Sequence, residues 1–301
     1  MSKIVCICLS ATIQKTIKFE NLRLEDVNRS KSYIKDASGK AINSARVLNQ
    51  LEEGCVTAIC PLGKENADEF IELAQKDNLN FIAVETPGAT RECLTLLDTS
   101  KGTTTELVVS EPKLEEDYSE AEEKLLFLIR EEISKADAVL LAGSKPDFLT
   151  KGICSIIAKI AKEEGKIFLA DYCGPELTGT LEICTPDIIK INEDEYIKTF
   201  DLSAYPSEKE LKDLITLKSQ ELNNTVIVTR GKKPTFAACR GTFTDFPVEK
   251  VQPLNTTACG DSFSAGYLYE YLETEDFEMS LAKGTWCAAR NAENLRPGSI
   301  E

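Results

Sequence analysis

The chain has 301 residues, of which 42% are apolar, so it can form one large domain or two ordinary ones around a packed core. Lysine and arginine number 35 against 50 aspartate and glutamate residues, which gives a formal net charge of −15. A surface of this sign repels nucleic-acid backbones, so we expect no nucleic-acid partner. Small anionic ligands are still compatible with it, because a few cations or oriented amides outweigh the mean field locally.

The first residues of the chain and its cysteines indicate the cellular compartment of the protein. Met1 is followed by a short strand-like run, KIVCICLS, rather than by a basic leader and a long apolar segment. The 11 cysteines include no CxxC motif, and with no histidine a zinc site would need scattered cysteines or carboxylates. We therefore predict a cytoplasmic protein with thiols packed in its core. No apolar run reaches the about 18 residues of a membrane span, so we expect no membrane partner.

Short β-branched runs alternate with amphipathic stretches along the chain, which predicts βα units. Continuous apolarity of the strand candidates indicates burial on both faces, as in a mostly parallel sheet covered by helices. Ligands of such sheets lie beyond the carboxyl ends of the strands. In chain order the strands are KIVCICLS, CVTAICPL, DAVLLAGS, KIFLADY, DIIKIN and TVIVTRG, and the helices are GKAINSARVLNQLEE, ENADEFIELAQ, SEAEEKLLFLIREEISKA and TKGICSIIAKIAKEEG.

Two inserted segments, about 13–35 and 80–110, differ from this rhythm because their polar and apolar residues alternate between turn residues. This pattern predicts a small second sheet. The sheet would be either a lid over the ligand site or a structural flap. No Pro/Gly-rich linker or internal repeat is present, so residues 1–301 are predicted to form a single domain with these lid segments.

The stretch Thr256 to Leu272 reads TTACGDSFSAGYLYEYL, in which small residues lead into an amphipathic pattern. A helix is predicted to start near Gly260. Its first amides lack intrahelical partners and carry partial positive charge, so the turn suits an anion such as a phosphate. Asp261 would then stand beside a phosphoryl group, where a carboxylate can accept the proton of an attacking hydroxyl. Alternatively, Asp261 merely complements the helix dipole.

The motif CGDSFSAGYL resembles the G-A-G-D-S/T signature of the ribokinase superfamily, and further motifs follow in the right order along essentially the whole chain. They resemble the phosphofructokinase B (PfkB) family, within the group of 1-phosphofructokinase and tagatose-6-phosphate kinase. Family patterns T-L-N-P-A-L-D, G-G-K-G-I-N-V-A-R, T-R-x-N-V-K-I, S-G-S-L-P-P-G, D-T-S-G-E-A-L, K-P-N-x-x-E-L and V-S-L-G-x-x-G-A are matched here by CLSATIQ, SGKAINSAR, TRECLTL, AGSKPDFL, DYCGPEL, KINEDEY and VIVTRGKKPTFA.

This resemblance implies a ribokinase-like three-layer αβα sandwich with a β-sheet lid, which in the family often forms a homodimer interface. It implies ATP as the phosphoryl donor and Mg²⁺ as the metal, held mainly through water because Mg²⁺ dehydrates reluctantly. The resemblance implies that Asp261 is the general base and that Ala258, Cys259 and Gly260 supply the amides of the anion hole. It also implies that Lys190 contacts the donor phosphates, that Thr229 and Gly231 line the nucleotide site, and that Asn192 and Glu195 hold magnesium.

The resemblance also implies a site for a sugar-phosphate acceptor, formed by Gln14, Gly39, Lys40, Asn43 and Arg91. Lys40 and Arg91 suit a dianionic ligand, which needs local cations and charge-assisted hydrogen bonds in an acidic protein. Each of these lysine and arginine residues could instead be ordinary solvated surface, and Asn43 could simply support its loop.

Three positions depart from the family pattern. Gln14 replaces an aspartate that binds sugar hydroxyls, which affects the choice of acceptor because an amide offers one acceptor and one donor. Ser38 replaces a glycine and narrows the pocket. Ala258 replaces the first glycine of the anion hole, which costs about 1 to 2 kcal/mol if the backbone there has positive φ.

The leading hypothesis is an ATP-dependent kinase of a sugar phosphate, such as fructose 1-phosphate, fructose 6-phosphate or tagatose 6-phosphate. One alternative is a weakly active or non-catalytic nucleotide- or sugar-phosphate-binding regulator, motivated by Gln14, Ser38 and Ala258. Another is a kinase of a nucleoside or an unphosphorylated sugar. A dinucleotide-dependent oxidoreductase has little support, because no G-x-G-x-x-G follows the first strand.

Overall fold

A computed structural model of the protein describes residues 1–111, 118–202 and 205–301. Strands and helices alternate through most of this length, as expected for βα units. The strands are β1 Ile4–Ile7, β2 Thr12–Phe19, β3 Tyr33–Ser38, β4 Val56–Gly63, β5 Asn80–Thr86, β6 Glu92–Asp98, β7 Thr103–Leu107, β8 Ala138–Ala142, β9 Ile167–Asp171, β10 Ile188–Asn192, β11 Thr225–Arg230, β12 Lys233–Cys239 and β13 Thr242–Phe246. The helices are α1 Lys40–Leu51, α2 Ala67–Gln75, α3 Ser119–Lys135, α4 Ile153–Glu163, α5 Pro175–Ile183, α6 Glu193–Thr199, α7 Glu208–Leu222, α8 Cys259–Thr274 and α9 Phe277–Glu293.

The larger of the two sheets in the described ranges has nine strands in the order β13-β12-β11-β10-β9-β8-β1-β4-β5. In this spatial order, the strands from β11 across to β5 pair in parallel. Strands β12 and β13 extend the sheet beyond β11 as an antiparallel edge. From β1 the chain first adds β4 on one side, and it later adds β8 on the other side of β1. Such a reversal is where an open parallel sheet forms a ligand crevice at its carboxyl ends.

Alternate residues of the central strand enter different cores, which explains why the strand is apolar throughout. Ile4 and Cys6 of β1 belong to the core that helices α1, α2, α8 and α9 cover on one face. Val5 and Ile7 belong to the core on the other face, which α3, α4, α5, α6 and α7 cover. The result is the three-layer αβα sandwich that the sequence predicted.

The second sheet has the order β3-β2-β6-β7 in the part of the chain that the structure describes. Its strands span Thr12–Ser38 and Glu92–Leu107, so the predicted lid segments are present with shifted bounds. The prediction was wrong for Asn80–Thr86, which pairs in parallel with β4 as the edge strand of the large sheet. An edge strand is covered incompletely, and its alternating exposure made it resemble a strand of the small sheet.

Among the described residues, no helix has the length and apolarity that crossing a bilayer requires.

Candidate active site

The turn between β3 and α1 presents two of the predicted acceptor residues. Gly39 has φ of 126°, and a Cβ there would lie 2.6 Å from the Sγ of Cys8, so a side chain at this position is excluded. The close contact holds the start of α1 against the carboxyl end of β1. Helix α1 begins at the next residue, Lys40, and carries Asn43 in its first turn.

The start of α8 carries the anion turn, residues 258–261, which the sequence predicts to bind a phosphate. Ala258 caps this helix in the left-handed region, with φ of 65° and ψ of 10°. This is the positive φ for which the sequence predicted a strain cost at alanine. Within the described residues, the amides of Gly260 and Asp261 donate to no carbonyl, whereas the next amide, that of Ser262, bonds to the carbonyl of Ala258 at 2.9 Å. Free amides at a helix N-terminus are donors for an anion.

Asp261 lies in the first turn of α8 and meets Asn43 of α1. The Nδ2 of Asn43 donates to the Oδ2 of Asp261 at 2.9 Å. Asp261 is 6% exposed, and the backbone turn before it, 257–260, is half-buried, so its side chain lies just beneath partly exposed backbone. Burial and the nearby Asp171 raise its pKa to about 6, against the opposing effects of Lys40, Asn43 and Lys190. A base with such a pKa is ionised at neutral pH and still takes up a proton readily.

The orientation of the Asn43 amide is fixed by donors on its other side. Its Oδ1 accepts from the Oγ of Ser38 at 2.9 Å and from Arg46 at 3.3 Å. An amide whose oxygen receives two donors must present its NH₂ to the remaining partner, the carboxylate of Asp261. Ser38 thus supports the site rather than merely narrowing it.

Two lysines converge on one buried carboxylate at the end of β9. Asp171 has no exposed surface; its Oδ2 lies 2.9 Å from the Nζ of Lys190, and its Oδ1 lies 3.4 Å from the Nζ of Lys40. Burial alone would raise the pKa of Asp171, but the two ammonium groups and the Ser264 hydroxyl hold it below its usual value. The site therefore keeps a fixed cluster of charges next to the anion turn.

Lys190 stands directly beside the anion turn, and the side chain of Lys40 is 36% exposed. A Cβ on Gly260 would come within 2.8 Å of the Nζ of Lys190. Although burial would lower the pKa of Lys40, Asp171 and Glu195 raise it well above its usual value. Lys40 is therefore cationic at neutral pH, as a phosphate site requires.

The predicted magnesium motif has a structural role at the start of α6. The Oδ1 of Asn192 accepts from the amide of Glu195 at 2.9 Å, and the Oε2 of Glu195 accepts from the amide of Asn192 at 2.9 Å. This reciprocal pair is a capping box. The other oxygen of Glu195, Oε1, lies 3.1 Å from the Nζ of Lys40.

The predicted nucleotide residues lie further along the carboxyl edge. Thr229 is paired with Asn192 across the sheet, and Gly231 has φ of 61° in the turn that follows β11. In the described ranges, no hydrogen bond or ion pair joins either residue to Asp261. Arg230 between them turns inward and pairs with Glu193 at 3.1 Å.

Gln14 lies on the face of the lid that is nearer to the anion turn, and Thr95 connects it to that turn. Its Nε2 donates to the Oγ1 of Thr95 at 2.8 Å, and that hydroxyl lies 3.5 Å from the Oγ1 of Thr257. Gln14 is 7% exposed and Thr95 is fully buried. The lid thus contacts the residues just before the anion turn.

Arg91, predicted to hold the acceptor phosphate, is paired with a carboxylate of its own chain. Its Nε lies 3.2 Å from the Oε1 of Glu111, which also accepts a hydrogen bond from the hydroxyl of Ser10. Ser10 follows β1, so this group belongs to the same edge of the sheet as the residues above.

The family of the chain follows from comparison with known proteins. A family model described as pfkB family carbohydrate kinase matches residues 1–299. The chain belongs to this family. The resemblance found in the sequence is thereby confirmed, and the protein is a kinase that transfers a phosphoryl group to a carbohydrate.

Individual relatives of this pfkB kinase agree with the assignment. Tagatose-6-phosphate kinase of Staphylococcus epidermidis is 27% identical over 99% of this chain and 94% of its own length. A possible 1-phosphofructokinase of Thermotoga maritima has the same fold, with a TM-score of 0.88 at 19% identity over 98% of this chain and 93% of that one. Phosphofructokinase-2 of Escherichia coli in complex with fructose-6-phosphate has a TM-score of 0.84 at 18% identity, over 97% and 94% of the two chains.

The carboxylates of the pfkB kinase fit a magnesium ion only through water. Both oxygens of Glu195 are engaged, and the described residues include no group of three or more cysteine, aspartate or glutamate side chains arranged to hold a metal. An ion held by nucleotide phosphates and water, with Glu195 in an outer position, is compatible with this arrangement. Asn192, whose oxygen caps α6, would also reach such an ion through water.

Two buried residues of the site were not predicted from sequence. Asp171 ends an apolar strand, and a carboxylate at that place is itself a recognisable signal. Asn291 of α9 donates to the carbonyl of Thr257 at 2.8 Å and to the Sγ of Cys259 at 3.3 Å, so it fixes the anion turn. No local pattern in α9 identifies it.

Proposed function

We propose that the protein is an ATP-dependent kinase that phosphorylates a hydroxyl of a sugar phosphate, with Asp261 as the general base. The observation that supports this most directly is the position of Asp261 beside the free amides of the α8 turn, with Lys190 close to Gly260. A tagatose 6-phosphate or fructose phosphate acceptor is favoured by the names of the relatives, because the most similar one given above is a tagatose-6-phosphate kinase.

In this reaction the acceptor hydroxyl attacks the terminal phosphorus of ATP, and its proton passes to the carboxylate of Asp261. The bond from phosphorus to the bridging oxygen breaks, and ADP leaves. The amides of Gly260 and Asp261 and the ammonium of Lys190 stabilise the charge on the transferred group. Magnesium, when bound, neutralises the oxygens of the donor phosphates.

Cys259 does not take part as a nucleophile. Burial raises the pKa of its thiol to about 11, so the thiol is neutral at neutral pH. A neutral side chain at this place keeps negative charge away from the phosphate site. The amide of Cys259 donates to the carbonyl of Thr256 at 3.4 Å, so the contribution proposed for this residue is its small, neutral side chain rather than a free donor.

The proposal includes a homodimer formed through the lid in the cytoplasm. On the side of the lid away from Gln14, Tyr33 and Leu96 flank Ile17 in register, and Leu94 pairs with Leu107. Tyr33 is 60% exposed and Leu107 is 46% exposed, which leaves an apolar stripe for a second lid. Light scattering of the purified protein, with Leu107→Asp as the interface variant, tests this dimer.

Release of ADP, measured across a panel of sugars and sugar phosphates, tests the kinase. We expect turnover with a ketohexose phosphate, and an Asp261→Asn variant that is slower by about 10³-fold, within the range of a lost general base. Asp245→Asn, which breaks a surface pair with Lys212, is the matched control and keeps its activity. Ordinary turnover by Asp261→Asn would reject the mechanism, and ligand binding without any turnover would favour a regulatory protein.

The stability of Asp261→Asn separates loss of chemistry from loss of folding. The folded state holds the Asp261 proton more tightly than the unfolded chain does, because its pKa rises from 3.8 to about 6. The wild type therefore loses stability as the pH rises from about 4 to 6, by up to about 3 kcal/mol. The amide variant lacks this loss, so at pH 7.5 it should unfold at a higher temperature than the wild type.

A further inference from the structure

Arg91 and Glu111 form an ion pair at the proposed acceptor site. The Nε of Arg91 lies 3.2 Å from the Oε1 of Glu111, and the side chains are 15% and 19% exposed. The same guanidinium donates through Nη1 to the carbonyl of Val109 at 3.2 Å. Glu111 also accepts a hydrogen bond from the hydroxyl of Ser10, so its carboxylate is held from two sides.

This pair adjoins the turn that carries the other acceptor residues. The carbonyl of Ser10 lies 3.1 Å from the place where a Cβ of Gly39 would stand. A small cavity next to the pair is lined by Glu111 together with Ser10, Gly63 and Thr90. Glu111 thus belongs both to the ion pair with Arg91 and to the wall of this cavity, beside the turn that carries the predicted acceptor residues.

The pairing differs from that of the two lysines of the site. Lys190 and Lys40 share Asp171, which is fully buried. If Asp171 moved away, the ammonium of Lys190 would be left as an unpaired charge in the interior, which is costly. Glu111 is partly exposed and contacts Arg91 through a single oxygen. A guanidinium fork binds a phosphate through two parallel hydrogen bonds, and a dianion attracts it more strongly than a carboxylate does.

We propose that Glu111 is a specificity-determining residue, whose carboxylate competes with the phosphate of the acceptor for Arg91. An acceptor that carries a phosphate displaces Glu111 and takes its place on the guanidinium, whereas an uncharged sugar leaves the pair intact. Glu111 therefore sets the KM for phosphorylated acceptors. This inference rests on the proposed function, because it concerns the acceptor subsite of that reaction.

Calorimetric titration with inorganic phosphate tests the competition without any need for turnover. Glu111→Gln keeps the size of the side chain and an oxygen for Ser10 but removes the charge, and should bind phosphate about three- to tenfold more tightly than the wild type, the range of one competing ion pair near a surface. Glu92→Gln is the matched control: Glu92 adjoins Arg91 in sequence but faces Lys35 at 4.0 Å, and its replacement should leave phosphate affinity unchanged.

A double-mutant cycle shows whether the phosphate binds at Arg91. In an Arg91→Gln background, Glu111→Gln should no longer change phosphate affinity. An equal gain in both backgrounds would place the phosphate elsewhere and overturn the proposal, as would equal affinities of the wild type and Glu111→Gln. Should Glu111→Gln fail to fold, Ser10→Ala releases the same carboxylate from its hydroxyl donor and should shift affinity in the same direction by a smaller factor.

Steady-state kinetics provide the readout on the reaction. Glu111→Gln should lower the KM for a phosphorylated ketohexose about three- to tenfold with kcat nearly unchanged, because the competition affects binding and not the transferred group. A raised KM for an unphosphorylated sugar in this variant would mean that Glu111 binds a hydroxyl, and would overturn the proposal. If no acceptor is turned over by the wild type, the proposed function fails, while the phosphate titration still decides the role of Glu111.

Discussion

The ammonium of Lys190 lies so close to the anion turn that a Cβ on Gly260 would be only 2.8 Å from its Nζ. Lys190 cannot retreat without cost, because it is buried and paired with Asp171 at 2.9 Å. Glycine at this position is therefore required by a neighbouring side chain, and not by the backbone alone. The same closeness brings a positive charge to the amides that would hold the transferred phosphate.

Gly260→Ala should consequently cost activity more than stability. The added methyl meets the end of the Lys190 side chain rather than a backbone atom, so the fold is kept at some cost to the pair with Asp171, but the ammonium and the phosphate are both misplaced. We expect a fall in kcat/KM of about a hundredfold, as misplacements near 1 Å produce. Gly179→Ala is the control: its Cβ would meet only the Oγ of Ser155 at 3.8 Å, and its activity should equal that of the wild type. Unchanged activity in Gly260→Ala would show that Lys190 does not act at this turn.

Asn43→Asp should move the acid limb of the pH profile. The wild-type kcat/KM is expected to fall as the pH drops below about 6, where Asp261 becomes protonated. Replacing Asn43 removes a hydrogen bond that lowers the pKa of Asp261 and adds a like charge, so the limb should shift upward by about one pH unit or more. Asn80→Asp introduces the same charge at an exposed site and should leave the profile in place. A profile of Asn43→Asp that coincides with that of the wild type would exclude Asp261 as the titrating base.

The fold and the anion turn could be predicted because their signals are local. Continuous apolarity of β1 reported a strand buried on both faces, and the residues of the anion turn up to Asp261 lie in one short stretch of sequence. The prediction that the second lid segment begins at Asn80 was wrong, because this strand pairs with β4 at the edge of the main sheet. An edge strand and a lid strand show the same alternation of polar and apolar residues.

The partners of the site residues could not be predicted, because they are distant in sequence. Lys40 and Asp171 are 131 residues apart, and Ser10 and Glu111 are 101 residues apart. Nothing in either neighbourhood specifies the other, and the pairing arises when separate strands end at one edge of the sheet. Motif comparison supplied the cations of the site and Glu195, but it did not single out Asp171 or Glu111, the other carboxylates that pair with those cations.

Asp171→Asn should destabilise the protein strongly. Removing the charge leaves Lys190, whose side chain is 4% exposed, without compensation in the interior, which costs about 3 to 5 kcal/mol. The folded pKa of Asp171 is lowered, so its stabilisation is present above the pKa of the unfolded chain and is lost as the pH falls. Urea unfolding at pH 7 measures the effect. Asp245→Asn, which breaks an exposed pair with Lys212, should cost less than about 1 kcal/mol; equal losses in the two variants would refute the role assigned to Asp171.

Ala258→Gly tests whether strain at the anion turn limits the enzyme. Ala258 and Glu275 cap the two ends of α8 with φ of 65° and 54°, so both hold a side chain in the left-handed region. Glycine relieves about 1 to 2 kcal/mol of this strain at either end and loses roughly 0.5 to 1 kcal/mol through its greater freedom in the unfolded chain. Ala258→Gly and Glu275→Gly should therefore both be slightly more stable than the wild type in urea unfolding. Ala258 belongs to the anion turn and Glu275 does not, so a rise in kcat is expected for Ala258→Gly alone. An equal kcat in the wild type and both variants would mean that the alanine turn already holds its amides in the reactive geometry.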